Sequence, residues 1–310
     1  MTVLVLAQPV NAQQIFVANS DTGNIGAYNA NTGATINANL ITGLSFPQMI
    51  TISGGDLYVA NYNNNTIGEY TTSGATVNTA LVGGVSQPVG IAVSGNDLFV
   101  GSTNNNNIGE YDATTGATIN AAFITGLNNP VGIAISGTSL FVANRGNGTI
   151  GEYDATTGTA INASLVTGLD NPFAITIAGT SLFVANDPLV GGTNLGPIGV
   201  YNINTGVAIN ASLISVSEQS FSLAVLAGNL YVSHDNLGTV SAYDSSTGAV
   251  VNDPLISGLD GGGPGVPGGV TGIAAIPEPG MYGMILGIAF LSVALVRKKH
   301  QAAVFCLLCK

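Results

Sequence analysis

The 310-residue chain is acidic and sparsely charged: 16 Asp and Glu stand against five Lys and Arg, a formal net charge of −11, and only 7% of residues carry charge. Between residues 13 and 276 a single base, Arg145, faces fifteen acids, a net charge of −14. That excludes nucleic acid as a partner, because such binding rests on neutralising phosphates with Lys and Arg, and it argues against simple adhesion to anionic lipid or acidic polysaccharide. Both cysteines, Cys306 and Cys309, lie in the last five residues, so no disulfide framework holds the body together.

In chain order, residues 1–12 (MTVLVLAQPVNA) are expected to be the end of a secretory signal with a truncated start. Val10-Asn11-Ala12 fits the small-residue cleavage pattern, but the basic leading region is missing and the apolar run is short. The alternative is an ordinary first strand with a ragged lead.

From there one sentence recurs. The stretch from Pro130 reads PVGIAISGTSLFVANRGNGTIGEYDATTGTAINASLVTGLDN, and whole copies begin at Pro47, Pro88, Pro130, Pro172 and Ser220, spaced 41, 42, 42 and 48 residues apart. Each copy holds four strand-like runs, in this one VGIAI, SLFVA, TIGEYD and TAINASLV, separated by Gly, Asn, Asp and Ser. Four short strands per period of about 40–45 residues is the spacing of a β-propeller blade. A sixth copy is split: GVTGIAAI, ending at Ile276, supplies its first strand, and the segment from Ile15 supplies the rest. The expected fold is therefore all-β, a six-bladed propeller over residues 13–276 in which residues 269–276 pair against residues 15–20 and close the ring. The first two strands of each copy are apolar on both faces, as strands sandwiched between blades should be. The fourth alternates, with Ala117, Ile119 and Ala121 on one face and Thr118 and Asn120 on the other, which predicts an outer strand with one wet face.

The motifs LFVAN (or LYVAN), N-T-I-G-E-Y and D-A-T-T-G resemble the YVTN and NHL classes of propeller repeat over about residues 15–276. The resemblance implies the fold and leaves function open, since propellers host unrelated activities. There is no Trp, so the WD signature is absent.

The acids mostly read as structure. Asp112 and Asp154 open D-A-T-T-G turns, where the side chain caps its own turn and the Gly takes the left-handed conformation. Glu69, Glu110 and Glu152 share one repeat position, about one blade apart and away from the axis, which suits a structural or solvated role better than paired acid–base work.

The position ending strand two carries Asn19, Asn61, Ser102, Asn144, Asn186 and His234. In a propeller the loops between strands two and three share a face with the linkers between blades. That face collects Asn61, Asn104, Asn144, Arg145, Asn186, Asp187, Glu218, His234 and Asp235 as candidate binding residues, and the insertion of the 48-residue copy falls there too. Turn chemistry alone accounts for a repeated Asn. The functional alternative is an amide-rich surface that binds sugar hydroxyls or Ca²⁺. Carboxylate and amide oxygens suit that hard cation, although no run has the D-x-[DN]-x-[DN]-G pattern. No catalytic motif is present, and no cofactor is expected beyond that Ca²⁺ option. The body also resembles the propeller of streptogramin-type lyases, which implies a histidine-bearing polar site; the one body histidine, His234, with Glu218, Asp235 and a metal, is the corresponding lyase or lactone-hydrolase alternative. A Gly- and Pro-rich linker, GLDGGGPGVPGG, precedes the closing strand.

The tail carries a second signal. Pro277, Glu278 and Pro279 are followed by an apolar run, 281–296, and then by Arg297, Lys298 and Lys299. Sixteen helical residues span about 24 Å, short of the roughly 30 Å hydrocarbon core, and the basic cluster orients its end to the cytoplasm. In order, spacing and position this set, residues 277–299, resembles the PEP-CTERM sorting signal. The resemblance implies export across the inner membrane of a Gram-negative-type cell, processing by an exosortase near Pro277-Glu278-Pro279, and delivery to the cell surface or an exopolysaccharide matrix. Residues 300–310 extend past the point where that family ends. The sequence reading is thus an exported propeller that binds glycan or surface protein without catalysis, with a lyase and a ligand-free coat component as alternatives.

Overall fold

The computed structural model describes residues 13–186, 196–216, 219–259 and 269–276. Among these, 24 strands form six four-stranded antiparallel sheets, and a 3-10 turn at Asp235–Leu237 is the one helical element. The signal segment 1–12, the sorting residues Pro277, Glu278, Pro279, Arg297, Lys298 and Lys299, the hydrophobic helix expected over 281–296 and the extension 300–310 lie outside the described residues.

The sequence period is one blade of a six-bladed β-propeller. Five blades use consecutive strands, as in Pro130–Ser136, Ser139–Asn144, Thr149–Asp154 and Ala160–Val166. The sixth takes its innermost strand, Val270–Ile276, from one end of the array and Gln14–Asn19, Asn24–Asn29 and Thr35–Ile41 from the other. The expected closure is present: the register runs from Gln14 opposite Ile276 to Asn19 opposite Val270, and the Ser20 N–H donates to the Gly269 carbonyl at 2.9 Å. No blade is left with a bare end face.

Each innermost strand packs against the next around the ring. Small residues permit this approach: a Cβ on Gly90 would fall 1.9 Å from the Val131 carbonyl oxygen, and one on Gly272 would fall 2.4 Å from that of Gln48. Strand two, between neighbouring blades, is dry on both faces; Leu140, Phe141, Val142 and Ala143 are all fully or almost fully buried. Each large side chain of this kind contributes roughly 1.5–3 kcal/mol by leaving water.

The outer strand departs from expectation. Residues 117–122 are exposed throughout rather than on one face, and Ile119 is 53% exposed. Blades diverge from the axis, so no described residue flanks this rim strand, and only Phe123 and Ile124 return to the core. The cause is also local. The outer strand bulges against strand three, with Glu110 opposite Asn120 but Ile108 opposite Ile124. Asn120 Oδ1 accepts the N–H of Ala122 at 3.1 Å, and Asn37, Asn78, Asn162 and Asn210 do the same two residues on, at 3.0–3.1 Å. After Asn252 that residue is Pro254, which has no N–H. A donor on each rim edge is thereby capped or absent, a guard against edge-to-edge pairing.

Candidate binding face

The acids assigned to turns and strands behave as structure. Asp112 Oδ1 accepts the N–H groups of Thr114 and Thr115 at 3.0 and 2.7 Å. Asp244, at the equivalent turn, is held down to about 2 by hydrogen bonds from Ser246 and Thr247. Glu69 and Glu110 are buried between blades, and burial pushes both carboxyls up. Tyr58 bonds Glu69 at 3.5 Å and is pushed up to about 12, by burial first and then by that carboxylate. Glu152 accepts from Ser139 Oγ at 2.8 Å.

The strand-two ends turn inward. Asn61 and Asn144 are 2% and 3% exposed. Their Oδ1 atoms accept the backbone N–H of Ser45 and Asn128, each at 3.3 Å, and so pin the linkers that enter their blades. Ser102 donates to the Ser86 carbonyl at 2.8 Å to the same end. Asn186 donates to the Pro197 carbonyl at 3.0 Å, while its buried Oδ1 has no partner among the described residues. These residues therefore hold the loop face in shape rather than present amides to a ligand. Asn104 is exposed, donating to Ser86 Oγ at 3.2 Å. Asp187 and Glu218 lie outside the described residues.

Arg145 is half-buried, its guanidinium carbon 5.2 Å from the ring centre of Phe173. Phe173 in turn meets Phe221 at 4.6 Å. Across the axis, Phe46 and Tyr62 meet at 6.0 Å. Sequence reading missed these four aromatics because it followed what repeats, and they are departures from the repeat. Phe46 stands where other blades have Gln87, Asn129 and Asn171, and Phe173 and Phe221 where others have Val89 and Val131.

His234 opens a separate polar chain in the Ser220 blade. Its Nε2 lies 3.1 Å from Ser241 Oγ, which donates to Asp253 Oδ1 at 2.5 Å; Tyr243 donates to Asp253 Oδ2 at 3.4 Å. Ser241 gives its one proton to the carboxylate, so it can only accept from the imidazole. The ring proton therefore sits on Nε2, and Nδ1 is a lone pair, buried with no partner among the described residues. Burial pushes the His234 pKa down, against an upward pull from Asp253. Ser220, directly opposite His234, is also buried, and its hydroxyl has no partner among the described residues. Asp235 is buried and begins the 3-10 turn that follows.

A cavity of about 330 Å³ runs along the axis, lined by the six innermost strands. Its side chains are aliphatic or small, with hydroxyls only at Thr51, Thr176 and Ser222 and no titratable group. Among the described residues no three His, Cys, Asp or Glu gather where a metal ion would be held.

The chain matches no protein-family model and no curated protein. Among solved structures it is similar to a chain of a nidogen/laminin complex, at 17% identity and a TM-score of 0.67, over 85% of this chain and 98% of that one. It is also similar to hydrazine synthase of Kuenenia stuttgartiensis, at 20% identity and a TM-score of 0.55, over 67% and 65%. At such identities the likeness shows the fold, a β-propeller, and nothing finer.

Proposed function

We propose that the protein is an exported cell-surface or matrix propeller that binds a glycan or a surface protein through its loop face, without catalysis. One observation carries the reading: Asn61, Ser102 and Asn144 at the strand-two ends are spent on locking the linkers, which fixes that part of the loop face, while the axial cavity holds no titratable side chain and hydroxyls only at Thr51, Thr176 and Ser222. A preorganised surface binds without the entropic cost of ordering its loops. A similar fold in a complex of nidogen with laminin accords with a propeller that serves as a docking module. The sorting-signal resemblance supports the route: inner-membrane insertion through 281–296, exosortase processing near Pro277-Glu278-Pro279, and transfer to the surface of a Gram-negative-type cell.

Co-sedimentation of the protein with its producer's extracellular polysaccharide, with and without a chelator, tests the binding reading. Retention is expected, and chelator sensitivity would assign a role to Ca²⁺. Loss of retention in both conditions would leave surface proteins as partners. The lyase alternative draws its support from the unprotonated Nδ1 of His234, and turnover abolished by His234→Asn would establish it.

A further inference from the structure

We propose that the centre of the loop face is a stacking platform for a neutral pyranose chain, formed by Phe46, Tyr62 and Phe221 around the Arg145–Phe173 pair. The inference rests on the binding reading above and names the ligand class for that face.

Subtracting the repeat isolates the site. Twelve of the seventeen aromatics between residues 13 and 276 occupy two repeat positions, one in strand two and one in strand three. Those rings are spent on packing between blades. Of the five that the repeat does not require, Phe123 is buried against Phe99 at 5.5 Å. The other four, Phe46, Tyr62, Phe173 and Phe221, all lie on the loop face, together with the body's one cation. They also converge. Tyr62, Met49 and Phe221 pack against the buried cluster that contains Val89, Val131 and Phe173, so five of the six blades contribute side chains there.

The backbone of the linker fixes where the Phe46 ring stands. Phe46 has a φ of +54°, in the left-handed region, and Gln87, Asn129 and Asn171 take the same conformation at the equivalent positions. The turn therefore belongs to the repeat, and in this blade it carries a half-buried ring beside Tyr62 instead of an amide.

The chemistry selects the ligand. An aromatic face is electron-rich and attracts the electropositive edge of a partner, and the row of C–H bonds on a pyranose supplies one. Exposed amides at Asn63, Asn104 and Asn147 stand in the loops of the same face, in three consecutive blades, and offer both donors and acceptors to hydroxyls. Arg145 is stacked on Phe173, and the acidic body repels polyanions, so a neutral chain fits where a polyuronate does not. A stable protein interface buries about 800 Å² per partner around an apolar centre; three half-buried rings set among amides fall short of that.

The test is calorimetric titration of the full chain with cellohexaose, mannohexaose and xylohexaose, with polygalacturonate as the acidic comparison. Saturable, salt-insensitive binding of at least one neutral hexasaccharide is expected. Phe221→Leu, which keeps apolar volume but removes the ring, and Tyr62→Ala should each weaken it at least about tenfold. Ile119→Thr, on the remote rim, should leave it unchanged. Binding to none of the three, unchanged binding by both face variants, or a preference for polygalacturonate that salt abolishes would overturn the proposal. Retention of Phe221→Leu on the whole extracellular polysaccharide would overturn the platform while leaving the broader binding reading intact.

Discussion

The Pro130 blade and the Ser220 blade have the same four strands and different interiors. In the first, Pro130, Asn144, Gly151 and Ala163 stand where the second has Ser220, His234, Ser241 and Asp253. Gly151 is required by its own blade: a Cβ there would meet the Tyr153 ring at 2.6 Å. Ser241 fills that place in the other blade, and the Tyr243 hydroxyl reaches instead to Asp253. A histidine at the strand-two end needs a partner for its N–H, the hydroxyl that provides one needs an acceptor, and Asp253 is that acceptor. The four departures form one connected change, and the difference teaches that this array tolerates a polar interior only when the chain of hydrogen bonds is carried out to the rim.

The largest effect is expected at the seam beside the Ser220 blade. Deleting residues 269–276 removes the strand that pairs with Gln14–Asn19 and packs against both neighbouring innermost strands. Loss of the cooperative thermal transition is expected by calorimetry, and an unchanged Tm would show that the ring does not depend on this closure. Next comes Asp253→Ala, which removes the acceptor of both Ser241 and Tyr243 and should cost about 2 kcal/mol in chemical denaturation. The equivalent residue of the Pro130 blade is already alanine, so an equally mild effect of Asp253→Ala and of a rim control such as Ile119→Thr would break the claim of a connected chain. The reciprocal exchanges come third. Ser241→Gly strips His234 of its acceptor, and Gly151→Ser drives a side chain into Tyr153; each should cost about 1–2 kcal/mol, although each makes one blade resemble the other at that position. If either were neutral, the two interiors would be interchangeable residue by residue.

Fold and site were not equally legible in the sequence. Blade number, strand count and the split closing blade were readable because a period repeated six times averages away local ambiguity, and because both faces of an inner strand must be apolar. The inward turn of Asn61 and Asn144 was not, since it depends on where the linkers pass, a tertiary fact that the strand itself does not encode. The wet outer strand was misread for a related reason: alternation implies one dry face only if something lies against it, and at the rim no described residue does. The aromatics of the loop face were present in the sequence all along. Comparing blades position by position exposes Phe46, Tyr62, Phe173 and Phe221 as departures, whereas a search for recurring polar residues passes over them.

The smallest effect, and the finest test of the two-blade comparison, is in pH. An unfolded His titrates near about 6.5, and burial holds folded His234 below its ordinary value. Above the unfolded value both states are neutral and the stability is fully present. As pH falls from there toward the folded value, the unfolded chain takes up a proton that the folded blade refuses, so stability declines across that window. Glu69 and Glu110 slope the other way. Burial raises their folded pKa values, and they add stability as pH falls through those values. The net curve therefore mixes signs, and the informative quantity is the difference between the protein and His234→Asn, which installs the amide used in four of the other blades. That difference in Tm should narrow or reverse in favour of the variant as pH drops below about 6.5, with the glutamates cancelling. Parallel curves would mean that His234 takes up its proton in the folded state as easily as in the unfolded one, which requires an acceptor for Nδ1 and would place the Ser220 blade back among its neighbours.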